Sequence, residues 1–312
     1  MGKIRLGLVG CGSRGRYLLR IFQEFDDVEL IAACDPFAES RQTTIQEFGI
    51  EEEYETVGDM LTRSKLDAVV VAPLANLNYE LALPCIEHGL HVLMEKPPGL
   101  TSDETRHLQE TADRTGSRVL VGWNRRFHPV IEQARTRILE RGPIIQLVGE
   151  FHKNVRQQVR LADTMMDRLL LETPIHAIDT IRYLAGSDVK TVHSIVRRAT
   201  SEYRDVHAAL VEFENGIVAQ LTHNYTAGAR LERYEIHGHD ISAYMEGVSG
   251  GQTVADGEVT EIVKGPTAGA EEQNRYFIDC VRGNRKIELP AANLAEAVKT
   301  MELAEAILAG TR

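Results

Sequence analysis

One segment restricts the architecture of this chain more than any other. Gly10-Cys11-Gly12-Ser13-Arg14-Gly15 stands directly after the apolar run Ile4–Val9 and directly before a helical pattern that begins near Arg16. Glycines at that spacing let a strand turn tightly into a helix, let backbone approach a pyrophosphate, and let the helix pack on the sheet. The helix N-terminus then offers N–H donors and a positive dipole. Asp35 follows at the end of the next apolar run, where a carboxylate accepts hydrogen bonds from adenosine ribose hydroxyls. The glycine loop alone is a weak motif; strand, loop, helix, strand and acid in that order predict a dinucleotide site. A carboxylate at Asp35 repels a 2′-phosphate, and Pro36 and Phe37 follow it in place of a basic side chain, so NAD is expected over NADP. Arg14 and Arg41 are the two cations that could reach such a phosphate.

Short apolar runs alternate with helical patterns through about residue 122, the rhythm of a parallel sheet covered on both faces. The expected strands are Ile4–Val9, Val28–Cys34, Ala68–Ala72, His91–Met94 and Arg118–Val121, with helices over Tyr17–Phe25, Leu77–His88 and Asp103–Thr115. Beyond residue 143 longer alternating segments take over: Val189–Arg197, Ala208–Phe213, Ile217–Asn224 and Glu232–Gly238. One helix, Pro174–Leu184, interrupts them, and two more follow at Glu271–Arg282 and Leu294–Leu308, while the polar stretch Arg156–Asp167 reads as a mobile loop. The expected fold is an α/β Rossmann domain with a doubly wound parallel sheet, over 1–122, plus an α+β C-terminal domain with a large open, mainly antiparallel sheet, over 123–312. The last helices are free to pack back on the first domain.

With 43% hydrophobic and 26% charged residues the chain reads as ordinary globular protein. Its net charge of -11 disfavours nucleic acid and anionic membrane as partners. No apolar stretch approaches the roughly 20 residues that span a bilayer, and a cytoplasmic location is expected. Cys11, Cys34, Cys85 and Cys280 are scattered without CxxC pairing, which fits reduced buried thiols better than disulfides or zinc. No metal site is expected.

Residues 86–97, IEHGLHVLMEKP, give a helix end, a glycine, a short strand and an acid-lysine-proline tip. Lys96 thereby lies at the C-terminal end of a parallel strand, where open α/β sheets bind ligands. With Gly122-Trp123-Asn124-Arg125-Arg126-Phe127 and Leu169–Gly186, this segment resembles the glucose-fructose oxidoreductase, inositol dehydrogenase and MocA family, and the resemblance spans both proposed domains. It implies that Lys96 contacts substrate and nicotinamide ribose and that the Lys-Pro peptide is cis. The cofactor contacts expected are Gly10, Gly12, Ser13, Arg14, Gly15, Asp35, Pro73, Asn78, Glu95, Lys96, Trp123 and Arg125. Asn78 stands where the family often has histidine.

Glu172, His176 and Asp179 fall at i, i+4 and i+7, on one face if helix extends through them. Thr173 and Pro174 read as an N-cap and first helical residue, which sets Glu172 just outside. Histidine suits removal of a hydroxyl proton because its ordinary pKa of about 6.5 lies near working pH; a structural histidine bonded to an acid competes on spacing alone. The resemblance favours the catalytic reading, with Glu172 where the family usually has aspartate. His152-Lys153-Asn154 is similar to the H-x-N segment of inositol dehydrogenases, whose polar side chains face substrate, and alternation puts His152 and Asn154 on one strand face.

The expected activity is hydride transfer between nicotinamide and a secondary alcohol or ketone of a sugar, cyclitol or related polyol. Lys96, His176 and Glu172 are its catalytic set, and these three with His152 and Asn154 hold the substrate. A nicotinamide-binding sensor and a redox-neutral enzyme using transient oxidation are the competing readings. The wide second sheet suggests a homodimer or homotetramer.

Overall fold

A computed structural model describes residues 2–154, 168–265 and 268–310. The expected loop Arg156–Asp167 lies outside the described residues. The chain separates into two compact units, Met1–Trp123 with Ala270–Val298, and Asn124–Gly269 with Lys299–Arg312.

The first unit is built on a six-stranded sheet of β1 (Ile4–Val9), β2 (Val28–Cys34), β3 (Glu52–Tyr54), β4 (Ala68–Val71), β5 (His91–Met94) and β6 (Val119–Val121). Their spatial order is β3-β2-β1-β4-β5-β6 and every neighbouring pair is parallel. Leu8, Val69, Val70, Val71 and Leu93 are wholly buried, as strands covered on both faces require. The crossovers include α1 (Ser13–Gln23), α2 (Ala38–Phe48), α3 (Val57–Arg63), α4 (Asn78–Glu87) and α5 (Ser102–Thr115). The elements α2, β3 and α3 were not expected from the sequence, for two physical reasons. Helix α2 buries only Thr44 and Phe48, too little for an apolar stripe, and β3 is three residues long with two glutamates at the sheet edge.

The second unit carries an eight-stranded sheet. Its strands are β7 (Gln146–Asn154), β8 (Val189–Arg197), β9 (Val206–Phe213), β10 (Val218–Asn224), β11 (Thr226–Gly238), β12 (Ile241–Met245), β13 (Gly251–Ala255) and β14 (Glu258–Ile262). The order is β14-β13-β12-β11-β7-β10-β9-β8, antiparallel except where β7 lies parallel to β10. One face is covered: a Cβ on Gly149 of β7 would meet Ile181 of the helix α7 (Ile175–Ala185) at 2.9 Å, so glycine lets that helix lie close. All eleven residues of α7 are buried. The unit also holds α6 (Pro129–Leu139), with His128 as its N-cap, accepting from Val130 N. Two further helices follow, α8 (Ala270–Arg282) in the first unit and α9 (Leu294–Ala309), within which the division between units falls.

On the covered face two histidines pair across β9 and β10. His207 and His223 are each 1% exposed, with ring centroids 6.3 Å apart. Burial drives the His223 pKa well below its ordinary 6.5, and the neighbouring His207 and His152 push the same way. A histidine held neutral in the fold but free to protonate when unfolded costs stability as pH falls below about 6.5, at roughly 1.4 kcal/mol per pH unit. Between pH 7.5 and 5.5 the urea midpoint should therefore drop, and His223→Leu should flatten that drop. Identical pH dependence in the two proteins would refute this account.

Candidate functional site

The turn from β1 into α1 uses each glycine differently. Gly10 has φ +95° and its backbone is pressed against Ala72 and Pro73, so an added Cβ would lie 2.7 Å from both. Gly15 is packed against the Gly10 carbonyl, and a side chain there would collide with it. Gly12 has nothing within 4 Å of its would-be Cβ and an ordinary φ of -69°. The protein itself therefore has no steric need for glycine at position 12; an external group brought against the backbone does. Gly12 is the N-cap residue of α1 and supplies no side-chain cap, so the first N–H groups of that helix are left for a ligand, and Ser13 beside it is exposed.

Asp35 fixes this loop from the end of β2. One carboxylate oxygen accepts from Cys11 N at 2.9 Å, the other from Phe37 N at 2.9 Å. A carboxylate has about four acceptor positions, so capacity for ribose hydroxyls remains. Burial raises the Cys11 thiol to about 11 and the Cys34 thiol to about 12, so both stay protonated and neither is an activated nucleophile. The two cations in question are engaged elsewhere. Arg14 pairs with Glu95 at 2.6 Å and covers the Tyr17 ring, while Arg41 donates to the Asp35 carbonyl at 2.7 Å and lies 3.4 Å from Glu53. Neither stands unpaired as a receptor for a 2′-phosphate, which agrees with NAD.

The tip of β5 is held by side chains the sequence reading assigned to cofactor contact. Asn78, wholly buried at the start of α4, donates its amide to the Glu95 carbonyl at 3.1 Å and to the Pro97 carbonyl at 2.8 Å. It thus brackets Lys96 on both sides, a positioning role invisible in the sequence. The Lys96-Pro97 peptide is cis, as the resemblance implied. Gly122 donates to the Met94 carbonyl at 2.7 Å, and a Cβ there would press on the Glu95 carboxylate at 3.3 Å. Trp123 is buried, with its amide bonded to Val121. The first unit therefore brings together Gly10, Gly12, Gly15, Pro73 and Asp35 on one side and Arg14, Asn78, Glu95 and Lys96 on the other.

The remaining candidates belong to the second unit. Arg125 makes a two-pronged ion pair with Glu232 at 2.8 and 3.0 Å; burial raises the Glu232 pKa, but the Arg125 guanidinium outweighs it and holds the group below its ordinary value. His176 is 7% exposed in the first turn of α7. That helix begins at Ile175 with Pro174 as its N-cap residue and no side-chain cap, so the expected Thr173 cap is not formed. Instead the Thr173 hydroxyl donates to the Glu172 carboxylate. Glu172 closes a 3₁₀ turn over Leu169–Leu171 with φ -74° and ψ -83°, outside α7. The i, i+4, i+7 alignment therefore does not hold, because the first acid precedes the helix. Asp179, the third member, is wholly buried and bound by Arg126 at 2.7 and 2.9 Å.

His152 and Asn154 lie near the end of β7 as partly exposed side chains, with His152 4.0 Å from Glu150. Lys153 between them points its ammonium to within 3.7 Å of Glu172. Sequence reading passed over Lys153 because it sought two like-facing polar residues and skipped the one between. It also missed Tyr225, 1% exposed, whose hydroxyl donates to the Leu169 carbonyl and so ties down the turn that carries Glu172. Burial and the nearby Glu172 raise that phenol well above its ordinary pKa, leaving it a permanent donor. No signal in one sequence marks such a tyrosine. Among the described residues no three histidine, cysteine, aspartate or glutamate side chains gather as a metal site, and no helix is long and apolar enough to cross a membrane.

Comparison with known proteins agrees with this arrangement. Residues 4–123 match the oxidoreductase family with an NAD-binding Rossmann fold, and residues 140–244 match the Gfo/Idh/MocA C-terminal domain, so the two matches cover well over half of the chain. The rhizopine catabolism protein MocA of Rhizobium meliloti is 32% identical over 190 residues, 60% of this chain and 59% of that protein. The scyllo-inositol 2-dehydrogenase (NAD(+)) of Bacillus subtilis is 25% identical over 259 residues, 80% of this chain and 72% of that one. In fold, the UDP-N-acetylglucosamine 3-dehydrogenase of Acidithiobacillus ferrooxidans superposes with a TM-score of 0.86 at 19% identity, covering 100% of this chain and 98% of the other. With a glycine cradle shaped for a dinucleotide, a cis-proline after Lys96 and both family domains matched in order, the chain belongs to the Gfo/Idh/MocA family of NAD-binding oxidoreductases.

Proposed function

We propose that this protein oxidises a secondary alcohol of a sugar, cyclitol or related polyol, or reduces the corresponding ketone, with NAD as the redox partner. The observation that carries the reading is the pairing, in one unit, of an unobstructed Gly12 backbone with a Lys96 bracketed by the Asn78 amide. A lysine clamped at the tip of a parallel strand, in the same unit as a loop whose Gly12 the fold itself leaves open, belongs to ligand chemistry rather than to a solvated turn. The naming of one relative as an inositol dehydrogenase supports the polyol class.

Bound NAD supplies the hydride acceptor. His176 takes the hydroxyl proton on a ring nitrogen, and Lys96 donates a hydrogen bond to the reacting oxygen, stabilising negative charge as it develops. Glu172 orients His176 and stabilises the imidazolium, while its own carboxylate is steadied by the Thr173 hydroxyl and by Lys153. The expected substrate contacts His152 and Asn154 are not carried into this mechanism: they alternate along β7 with Lys153, whose ammonium faces Glu172, and His152 pairs in register with Leu231 on the opposite face. Ser13, Trp123 and Arg125 complete the proposed cofactor contacts.

Ile195, Leu210, Val218 and Leu231 are 38–59% exposed, and the strand register places all four on the side of the large sheet opposite the covered one. A second copy of the chain is the proposed cover for that face, giving a homodimer or a homotetramer.

Three measurements test these assignments. With NAD and a panel of sugars, inositols and sugar derivatives, wild type should reduce the cofactor, while His176→Ala and Lys96→Ala should each lose about 10²- to 10⁴-fold in kcat with NAD affinity retained. Turnover unaffected by the His176 substitution sinks its role, and tight NAD binding without turnover on any substrate moves the reading to a sensor. Gly12→Ala should keep the thermal stability of the free protein yet bind NAD at least about tenfold more weakly, because the new methyl occupies space the protein leaves open. In sedimentation at micromolar concentration the wild type should be oligomeric and Leu210→Asp should shift toward monomer; a monomeric wild type overturns the assembly.

A further inference from the structure

A cavity of 860 Å³ opens at the amino-terminal edge of the six-stranded sheet, with every lining residue in the first unit. Lys3 and Arg5 reach it from the start of β1, Lys65 from the turn into β4, and Arg282 from the end of α8. Asp67 is the one carboxylate among its lining residues, and His88 and His91 add no negative charge. Strand β1 is six residues long, so this cavity lies roughly 20 Å from the glycine loop at the other end of that strand. Its volume falls in the range of about 300–1,000 Å³ that small-molecule sites occupy.

The charge of the cavity runs against that of the chain, which carries a net -11. A concave surface lined by one sign of charge focuses its field and gathers counter-ions. The parallel register sets Leu6 beside Ala68, so Lys3 and Lys65, each three residues earlier, stand level where the two strands begin. Arg5 locks that arrangement: its Nε donates to the Lys65 carbonyl at 2.5 Å, and its backbone N–H donates to the Asp67 carboxylate at 2.8 Å. The two arginines face acids outside the cavity lining, Arg5 at 3.9 Å from Glu29 and Arg282 bound to Asp27. Among the described residues neither Lys3 nor Lys65 forms a salt bridge, and both are exposed. Two like charges held at neighbouring positions repel, and an anion shared between them removes that cost. The uncommitted cations are ammonium groups. These act as point charges suited to a tetrahedral phosphate, whereas a planar carboxylate is matched by the guanidinium fork.

We propose that this cavity is a binding site for a small phosphorylated anion with two or more negative charges, held between Lys3 and Lys65 and separate from the dinucleotide site. Inorganic pyrophosphate is the probe, titrated by calorimetry into the full chain with NAD absent and with NAD saturating. Pyrophosphate should bind in both conditions with a Kd below about 1 mM at low salt. Citrate, an anion of comparable charge without phosphate, should bind at least about tenfold more weakly. In the double variant Lys3→Gln/Lys65→Gln pyrophosphate should bind at least about tenfold more weakly, while the melting temperature of the free protein stays within about 2 °C of wild type and NAD affinity is unchanged. Absence of pyrophosphate binding overturns the proposal, as does an affinity equal in wild type and double variant. Binding abolished by NAD places the anion on the glycine loop and overturns it too, and citrate bound as tightly as pyrophosphate leaves only an unselective basic patch.

Discussion

The buried ion pair between Arg126 and Asp179 sets the geometry on which the second unit depends. Both side chains are fully withdrawn from water, joined by two hydrogen bonds at 2.7 and 2.9 Å, and the Thr300 hydroxyl adds a third at 3.0 Å. Arg182, one turn further along α7, donates to the same hydroxyl at 3.1 Å. Such a pair adds little net stability over apolar packing, yet removing one partner strands the other as a buried charge, at a cost of about 3–5 kcal/mol. Its value is directional. Asp179 lies three residues beyond His176, so the bidentate contact fixes the rotation of α7 about its axis and with it the direction in which the histidine projects.

An analogous constraint organises the first unit, where polar groups hold a short lysine-bearing tip that has little packing of its own. Arg14 reaches from α1 to Glu95 at the end of β5, and the Asn78 amide satisfies the carbonyls on either side of Lys96. The first of these contacts crosses from one half of the sheet to the other, over the reversal between β1 and β4. The glycine loop, tied to β2 through Asp35, and the lysine tip are thereby parts of one rigid edge, consistent with a ligand that must touch both.

Much of the fold was legible because its signals are local. Ile4–Val9, Val28–Cys34, His91–Met94 and Val189–Arg197 are found with the bounds their apolar runs suggest. Elements whose stability comes from neighbours rather than from their own pattern, such as β3 and α2, carried no periodicity to read. The same distinction divides the candidate site. Gly10, Gly12 and Gly15 announce themselves by spacing, whereas Tyr225 and Lys153 act through contacts with Leu169 and Glu172 that lie more than ten residues away in the chain.

By itself the sequence determined the dinucleotide loop, the parallel order of the first strands, the preference for NAD and the family, because each rests on residues close together along the chain. Tertiary structure alone decided that Arg14 is spent on Glu95, that Asn78 brackets Lys96, that Lys153 faces Glu172, and that no side chain caps the helix of His176. Those outcomes depend on which side chains meet after the strands and helices have packed, and pairings across tens to hundreds of residues leave no periodic trace in a single sequence.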